Sequence, residues 1–290
     1  MKEHVSHRAP AVAGRFYPAD PRELKREVEG LFKKGVARKP GNIRALIVPH
    51  AGYIFSGKIA ASRFNQLPPD AAYKRIFILA SSHRSSFDGA SLYLSGDYRM
   101  PFGNVKVDTG LSKQLLHEHP DLFTDDHTPH TGEHSIEVQL PFLHHHLKND
   151  FSIVPIVLGT SDPDTCRLVA DALKPYMTDE NLFVISSDFS HYPDYDDANR
   201  VDTITKDAIL TNRPEELLST LSTNRREAIP NLFTSLCGWT SVLTLLYMTA
   251  GDPTYRYKAI DYCNSGDEKR YGDLDEVVGY WAIALCSMSN

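Results

Sequence analysis

Four histidines, an aspartate and a cysteine carry most of the chemistry this chain could perform. His50 lies in PHAGYIFSG, His83 in SSHRSSFDG, and Asp188 and His191 share SSDFSHY. His50, His83 and Asp188 each follow closely on a short apolar run. In an open α/β sheet, ligands gather beyond the carboxyl ends of the strands. Each residue alone has a plain role: a loop hydrogen bond for His50, a turn or helix cap for His83, an N-cap for Asp188, a loop buttress for His191. Three such endings at one sheet edge make a set. Cys237 precedes Gly238-Trp239 and an apolar stretch over 240–248. A cysteine at a helix start gains thiolate character, and a thiolate is both a nucleophile and a soft metal ligand. A buried, inert thiol is the alternative.

His134 sits in GEHSIEVQLPFL, a segment that opens a helix. Glu133 and Glu137 suit the first turn, where the helix dipole favours acids. His134 either lines the pocket or holds a ligand imidazole in one tautomer. His144-His145-His146 reads as a solvated helix end, because neighbouring residues on a helix point in different directions. Tyr17, Tyr53, Phe55 and Tyr192 flank these motifs and form either an aromatic wall or part of the core.

The elements that position these residues follow from apolar patterning. Continuous apolar runs at 43–48, 75–80, 151–158 and 182–185 are bounded by turn residues and read as strands buried on both faces. Helical patterns at 58–65, 135–147, 164–173 and 197–210 separate them, after a first helix over 18–35 with Asp20 as cap and Pro21 in its first turn. A hairpin insertion is expected over 91–107. Further helices start near 215 and 240, and two late strands cover 255–262 and 277–286. The rhythm predicts an α/β fold: a mixed, mostly parallel central sheet flanked by helices. No break in composition divides the chain, so residues 1–290 read as a single domain.

The chain has 290 residues, with 31 Lys and Arg against 37 Asp and Glu, for a formal net charge of −6. No basic patch stands out, which argues against nucleic acid. No polybasic run adjoins an apolar helix, which argues against a membrane surface. The start, MKEHVSHRAP, has no apolar leader. The longest apolar run, over 280–286, falls well short of the roughly 20 residues a spanning helix needs. The four cysteines form no CxxC pair and are expected to be reduced. A cytoplasmic location is the expectation.

The segments RAPAVAGRFYPADPREL, VPHAGYIFSG, SSHRSSF, GEHSIEVQLPFL, SSDFSHY and CGW, in this order, span nearly the whole chain. Together they resemble the Memo family, including the bacterial and archaeal members called AmmeMemoRadiSam system protein B. The resemblance implies a fold like that of class III extradiol ring-cleaving dioxygenases, which hold non-haem Fe(II) with two histidines and a glutamate. His50 and His83 match the two metal histidines. His191 matches the general base, and Cys237 stands where the dioxygenases carry their glutamate. A thiolate there favours copper or zinc more than a carboxylate would, without excluding iron.

The resemblance thus implies Fe(II) or Cu, with zinc possible in a purified sample, and redox, dioxygenase-like chemistry on a small substrate. In that scheme His191 moves protons, Asp188 orients an imidazole and His134 completes the pocket wall. Two other uses of the same residues stay open. One is a peptide- or phosphopeptide-binding module, although Arg84 is the nearest cation and no arginine cluster surrounds the motifs. The other is a Cys-His-Asp hydrolase built from Cys237, His191 and Asp188, which leaves His50 and His83 without a role. The group's name further implies AMMECR-type and radical SAM companion proteins. This chain itself lacks the CxxxCxxC motif of the latter.

Overall fold

The computed structural model describes residues 6–39 and 41–288. In chain order the strands are β1 (Asn42–Val48), β2 (Arg75–Ser81), β3 (Ala90–Leu92), β4 (Tyr98–Met100), β5 (Gly103–Val105), β6 (Phe123–Thr124), β7 (Ser152–Leu158), β8 (Asn181–Ser186), β9 (Tyr255–Asn264) and β10 (Gly279–Ser287). The helices are α1 (Pro21–Lys34), α2 (Tyr53–Phe64), α3 (Thr109–Glu118), α4 (Thr128–Thr131), α5 (Leu140–His146), α6 (Pro163–Leu173), α7 (Tyr195–Leu210), α8 (Pro214–Arg226) and α9 (Trp239–Thr249). None of the described helices is long and apolar enough to cross a membrane.

Eight strands form one sheet in the order β6-β3-β7-β2-β8-β1-β10-β9. The middle four, β7-β2-β8-β1, are mutually parallel. β10 lies antiparallel to β1 and to β9, and β3 lies antiparallel to β7. The sheet is therefore mixed and mostly parallel at its centre, as the patterning predicts. Along β2 the side chains alternate between two cores. Ile76, Ile78 and Ala80 join Phe64 and Phe142 on one face, while Phe77 and Leu79 join Leu173 and Leu246 on the other. Helices cover both faces, so apolar residues run consecutively through the middle of these strands rather than alternating.

Several boundaries differ from the sequence expectation, each for a local reason. α1 begins as expected: Asp20 accepts from the Arg22 and Glu23 N–H groups, and Pro21 occupies the first turn. α2 starts at Tyr53, five residues before the expected 58, because the chain turns at Gly52 and the Tyr53 N–H is taken by the Phe16 carbonyl at 2.8 Å. α7 starts at Tyr195, capped by Asp194. The helix expected over 135–147 opens instead as a 3-10 turn, Glu137–Gln139, before α5. Pro141 has no N–H to give to the Glu137 carbonyl, so α-helical bonding cannot extend back through it. Only the 98–105 part of the expected insertion is a hairpin, turning at Pro101-Phe102, while β3 joins the main sheet.

Candidate metal centre

Register brings the chemistry together. Val48 of β1 and Ala80 of β2 both pair with Ser186 of β8. The strands are parallel, so His50, His83 and Asp188, each two residues past a strand end, emerge at one edge. Backbone bonds then tie the loops: the Ser187 N–H reaches the Val48 carbonyl at 2.9 Å, and the Ser82 N–H reaches the Leu158 carbonyl at 2.8 Å.

Cys237 arrives from the far side of the sequence on the loop before α9. Its N–H donates to the Asp188 carbonyl at 3.2 Å, and its Sγ accepts from the Asp188 N–H at 3.2 Å. Gly238 makes this approach possible. A Cβ there would lie 2.6 Å from the Ser186 carbonyl oxygen and 2.7 Å from Ser187 Cβ. The Gly238 N–H caps the contact by donating to Ser187 Oγ at 2.9 Å.

His50, His83 and Cys237 each present a donor atom to a set whose members lie within 4.8 Å of one another. The His50 Nε2 to Cys237 Sγ distance is 3.2 Å. Donors bound at 2.0–2.3 Å to one ion stand about 3–4 Å apart, so the spacing fits a single ion. The hydrogen bonds behind the rings also fit. The Ser186 hydroxyl donates to the Ser135 carbonyl at 2.7 Å, so it accepts from His50 Nδ1 at 2.9 Å and from the Gln139 amide at 3.0 Å. The His50 proton is thereby fixed on Nδ1 and the Nε2 lone pair is left toward Cys237. His83 Nδ1 faces the Glu133 carboxylate at 3.1 Å. A carboxylate behind a ligand imidazole is the usual support of a metal histidine.

Two overlapping groups, His83-Glu133-His134 and Asp188-His191-Cys237, also have donors within this spacing. Glu133 is already engaged: it accepts from the N–H groups of His83 and Ser135 at 3.0 Å each and from the Ser135 hydroxyl at 2.8 Å. Asp188 Oδ1 is held by the His50 N–H at 2.7 Å. His50, His83 and Cys237 form the one of the three groups that contains no carboxylate already engaged by backbone N–H groups.

Electrostatics divide the site. Burial, reinforced by His83 and His134, pushes the His50 imidazole well below its ordinary range. Burial also opposes charge on His83, but its hydrogen bonds to Cys237 and Glu133 prevail and lift it to about 10. Burial would raise Glu133, yet the hydrogen bond and charge of His83 hold it well below the carboxylate range. Burial lowers His134 to about 4 and His191 to about 4. Burial raises Asp188 to about 7, against the His50 N–H bond that lowers it. The Cys237 thiol is raised by burial, with His83 pulling the other way. Its position before α9 therefore does not by itself yield a thiolate, contrary to the sequence expectation.

The other expected residues fall as follows. Asp188 fixes the main chain of His50, with Oδ2 3.7 Å from Nε2, and Ser186 rather than Asp188 orients the ring. His134 packs edge-on against Phe16 with centroids 5.0 Å apart, and its ring lies 5.3 Å from His50 and 5.1 Å from His83. His191 is held by backbone pairing to Thr234 and Val278, and its buried Nε2 has no hydrogen-bond partner among the described residues. Glu133 and Glu137 are not exposed first-turn acids. Both are buried, and Glu137 pairs with Arg8 while accepting from the Ala11 N–H at 2.7 Å. The three-histidine tract is not simply solvated: His144 stacks on Phe102, and His145 and His146 stack on Phe32. Tyr17 and Tyr53 belong to the core, whereas Tyr192 is exposed.

Comparison with known proteins places this arrangement among relatives. A family model described as Memo-like protein matches residues 8–284. A MEMO1 family protein of Methanopyrus kandleri is 31% identical over 289 residues, covering 96% of this chain and 98% of its own. One from Saccharolobus islandicus is 33% identical, with 97% and 99% covered, and one from Methanosarcina acetivorans is 34% identical, with 96% and 98% covered. Among solved structures, an uncharacterized Escherichia coli K12 protein superposes with a TM-score of 0.52 at 14% identity, covering 81% of this chain and 98% of that one. At that identity the likeness is one of fold alone.

Proposed function

We propose that this chain, which belongs to the Memo-like protein family, holds one iron or copper ion through His50, His83 and Cys237 and acts as an oxidoreductase on a small substrate. The observation that carries this reading is the pair of imidazoles with each Nδ1 engaged by the protein, by Ser186 in one case and Glu133 in the other. That arrangement leaves their opposite nitrogens for the space shared with Cys237. Two imidazoles and a thiolate suit iron, copper or zinc, and zinc would fill the site in a purified sample without redox activity.

When bound, the ion supplies electron transfer and a common meeting point for O₂ and substrate. The protein supplies the rest. Glu133 and Ser186 keep the two rings in a ligand-ready tautomer. Asp188 locks the loop of His50 against that of Cys237. His191 has a ring nitrogen within 4.8 Å of the Cys237 Sγ and an Nε2 without a hydrogen-bond partner among the described residues, so it can take or give a proton at the substrate. His134 closes the wall beside Phe16 and limits the entry of water. Ring cleavage in the manner of the extradiol dioxygenases is the narrower form of this proposal.

Anaerobic purification followed by elemental analysis tests the reading. About one iron or copper per chain is expected, as follows from a three-donor mononuclear site. His50→Ala and Cys237→Ala should each empty it. Stoichiometric metal retained in both variants would end the proposal. Oxygen uptake with candidate catechols then separates ring cleavage from other oxidations.

A further inference from the structure

Two of the three proposed metal donors, His83 and Cys237, line a cleft of about 380 Å³. Its remaining wall has a distinctive chemistry. Ser82, Ser85, Ser86 and Thr160 offer hydroxyls, Trp239 offers a flat aromatic face, and no carboxylate side chain lines it. Arg84 is the single cation in the lining apart from imidazole. Its Nε is pinned to the Gly132 carbonyl at 2.8 Å, and its terminal nitrogens carry no ion pair or hydrogen bond among the described residues. Gly132 allows that seat, because a Cβ there would meet Arg84 Nε at 2.9 Å. Trp239 and Thr240 begin α9, so the positive end of a helix dipole faces the same space.

A guanidinium held by Nε alone keeps a free fork for a planar oxyanion. The charge of His83 is matched by the Glu133 carboxylate behind it, so the Arg84 guanidinium is the cation of this lining left to be balanced, and it balances one negative charge, not two. A cavity of this size takes a small molecule rather than a polymer. We infer that the cleft is a binding subsite for a small monocarboxylate, its acid group on Arg84 and the serine hydroxyls, its flat body along Trp239, and its far end at His83 and Cys237. The carboxylate subsite stands on the cleft itself; the assignment of the far end as the reacting end rests on the proposed metal centre.

Calorimetric titration of the full chain with benzoate, benzamide and inorganic phosphate tests it. Benzoate should bind, and benzamide, which has the same shape without charge, should not. Arg84→Ala should weaken benzoate by about tenfold or more, with Arg84→Lys intermediate because an ammonium cannot pair bidentately. Metal content, measured in the same samples, should be unchanged in Arg84→Ala. Metal-free wild type that still binds benzoate through Arg84 would sink the metal proposal and leave the subsite standing. The subsite is overturned by Arg84→Ala binding benzoate as well as wild type, by phosphate binding more tightly than benzoate, or by no benzoate heat at about 10 mM, a concentration that reveals even weak carboxylate sites.

Discussion

His50 and His83 occupy equivalent places, two residues past the ends of parallel strands, yet their surroundings set them apart. The His50 side chain is 2% exposed and held by a neutral chain of hydroxyl, amide and carbonyl, whereas that of His83 is 29% exposed and held by a buried carboxylate. One ring is pushed toward neutrality by burial; the other is drawn to the charged form against it. The inner wall of the site is thus fixed by packing and by closed neutral hydrogen bonds. The outer wall is fixed by charge and stays adjustable.

The contrast can be broken most decisively at its glycines. Gly238→Ala on the inner wall forces backbone against backbone and should cost about 3 kcal/mol in denaturant unfolding, the upper range for overpacking. A native-like midpoint in that variant would mean the inner wall yields. Asp202 backs the same wall: it accepts from the Ser190 N–H at 2.9 Å and the Tyr262 hydroxyl at 2.8 Å, and burial raises it from 3.8 to about 7. Between those values the native protein keeps a proton that the unfolded chain has released. Stability should therefore fall as pH rises through that window and level off above it. Asp202→Asn should reduce this slope in urea melts taken across the window, leaving the part that Asp188, raised to about 7 as well, contributes; an unchanged slope would remove Asp202 from the account.

On the outer wall, Glu133→Gln should weaken metal binding roughly 10- to 100-fold, and Ser186→Ala on the inner wall about tenfold or less, since a neutral hydrogen bond is lost in place of a charged one. Competition with a chelator of known affinity measures both, and equal losses would erase the distinction. The smallest effect is expected from Gly132→Ala. The added methyl meets only the Arg84 side chain, which can swing aside, so stability should change by no more than about 0.5 kcal/mol.

The parallel core was legible because stretches such as 45–48 and 76–80 are consecutively apolar and are followed closely by polar residues. That pattern also flagged His50, His83 and Asp188. What supports them was not legible. Glu133 reaches His83 across 50 positions, and Ser186 reaches His50 across 136. Periodicity reports only local geometry, so Glu133 and Glu137 passed for helix-start acids. One signal was available: two acids in a segment without Lys or Arg, so with no base four residues on to pair with them. The role of Gly238 was hidden because its cost is steric and depends on the end of β8 lying alongside.

The antiparallel setting of β10 has a consequence for biosynthesis. Because that strand runs against β1, its beginning, not its end, reaches the site: the Gly279 N–H grips the Ser190 carbonyl at 2.9 Å and Val278 pairs with His191. The pocket's rear support is thus made later in the chain than either His50 or His83. In the proposed metal centre an ion arriving before β10 has paired would meet a half-assembled cage, so loading should follow the docking of that strand.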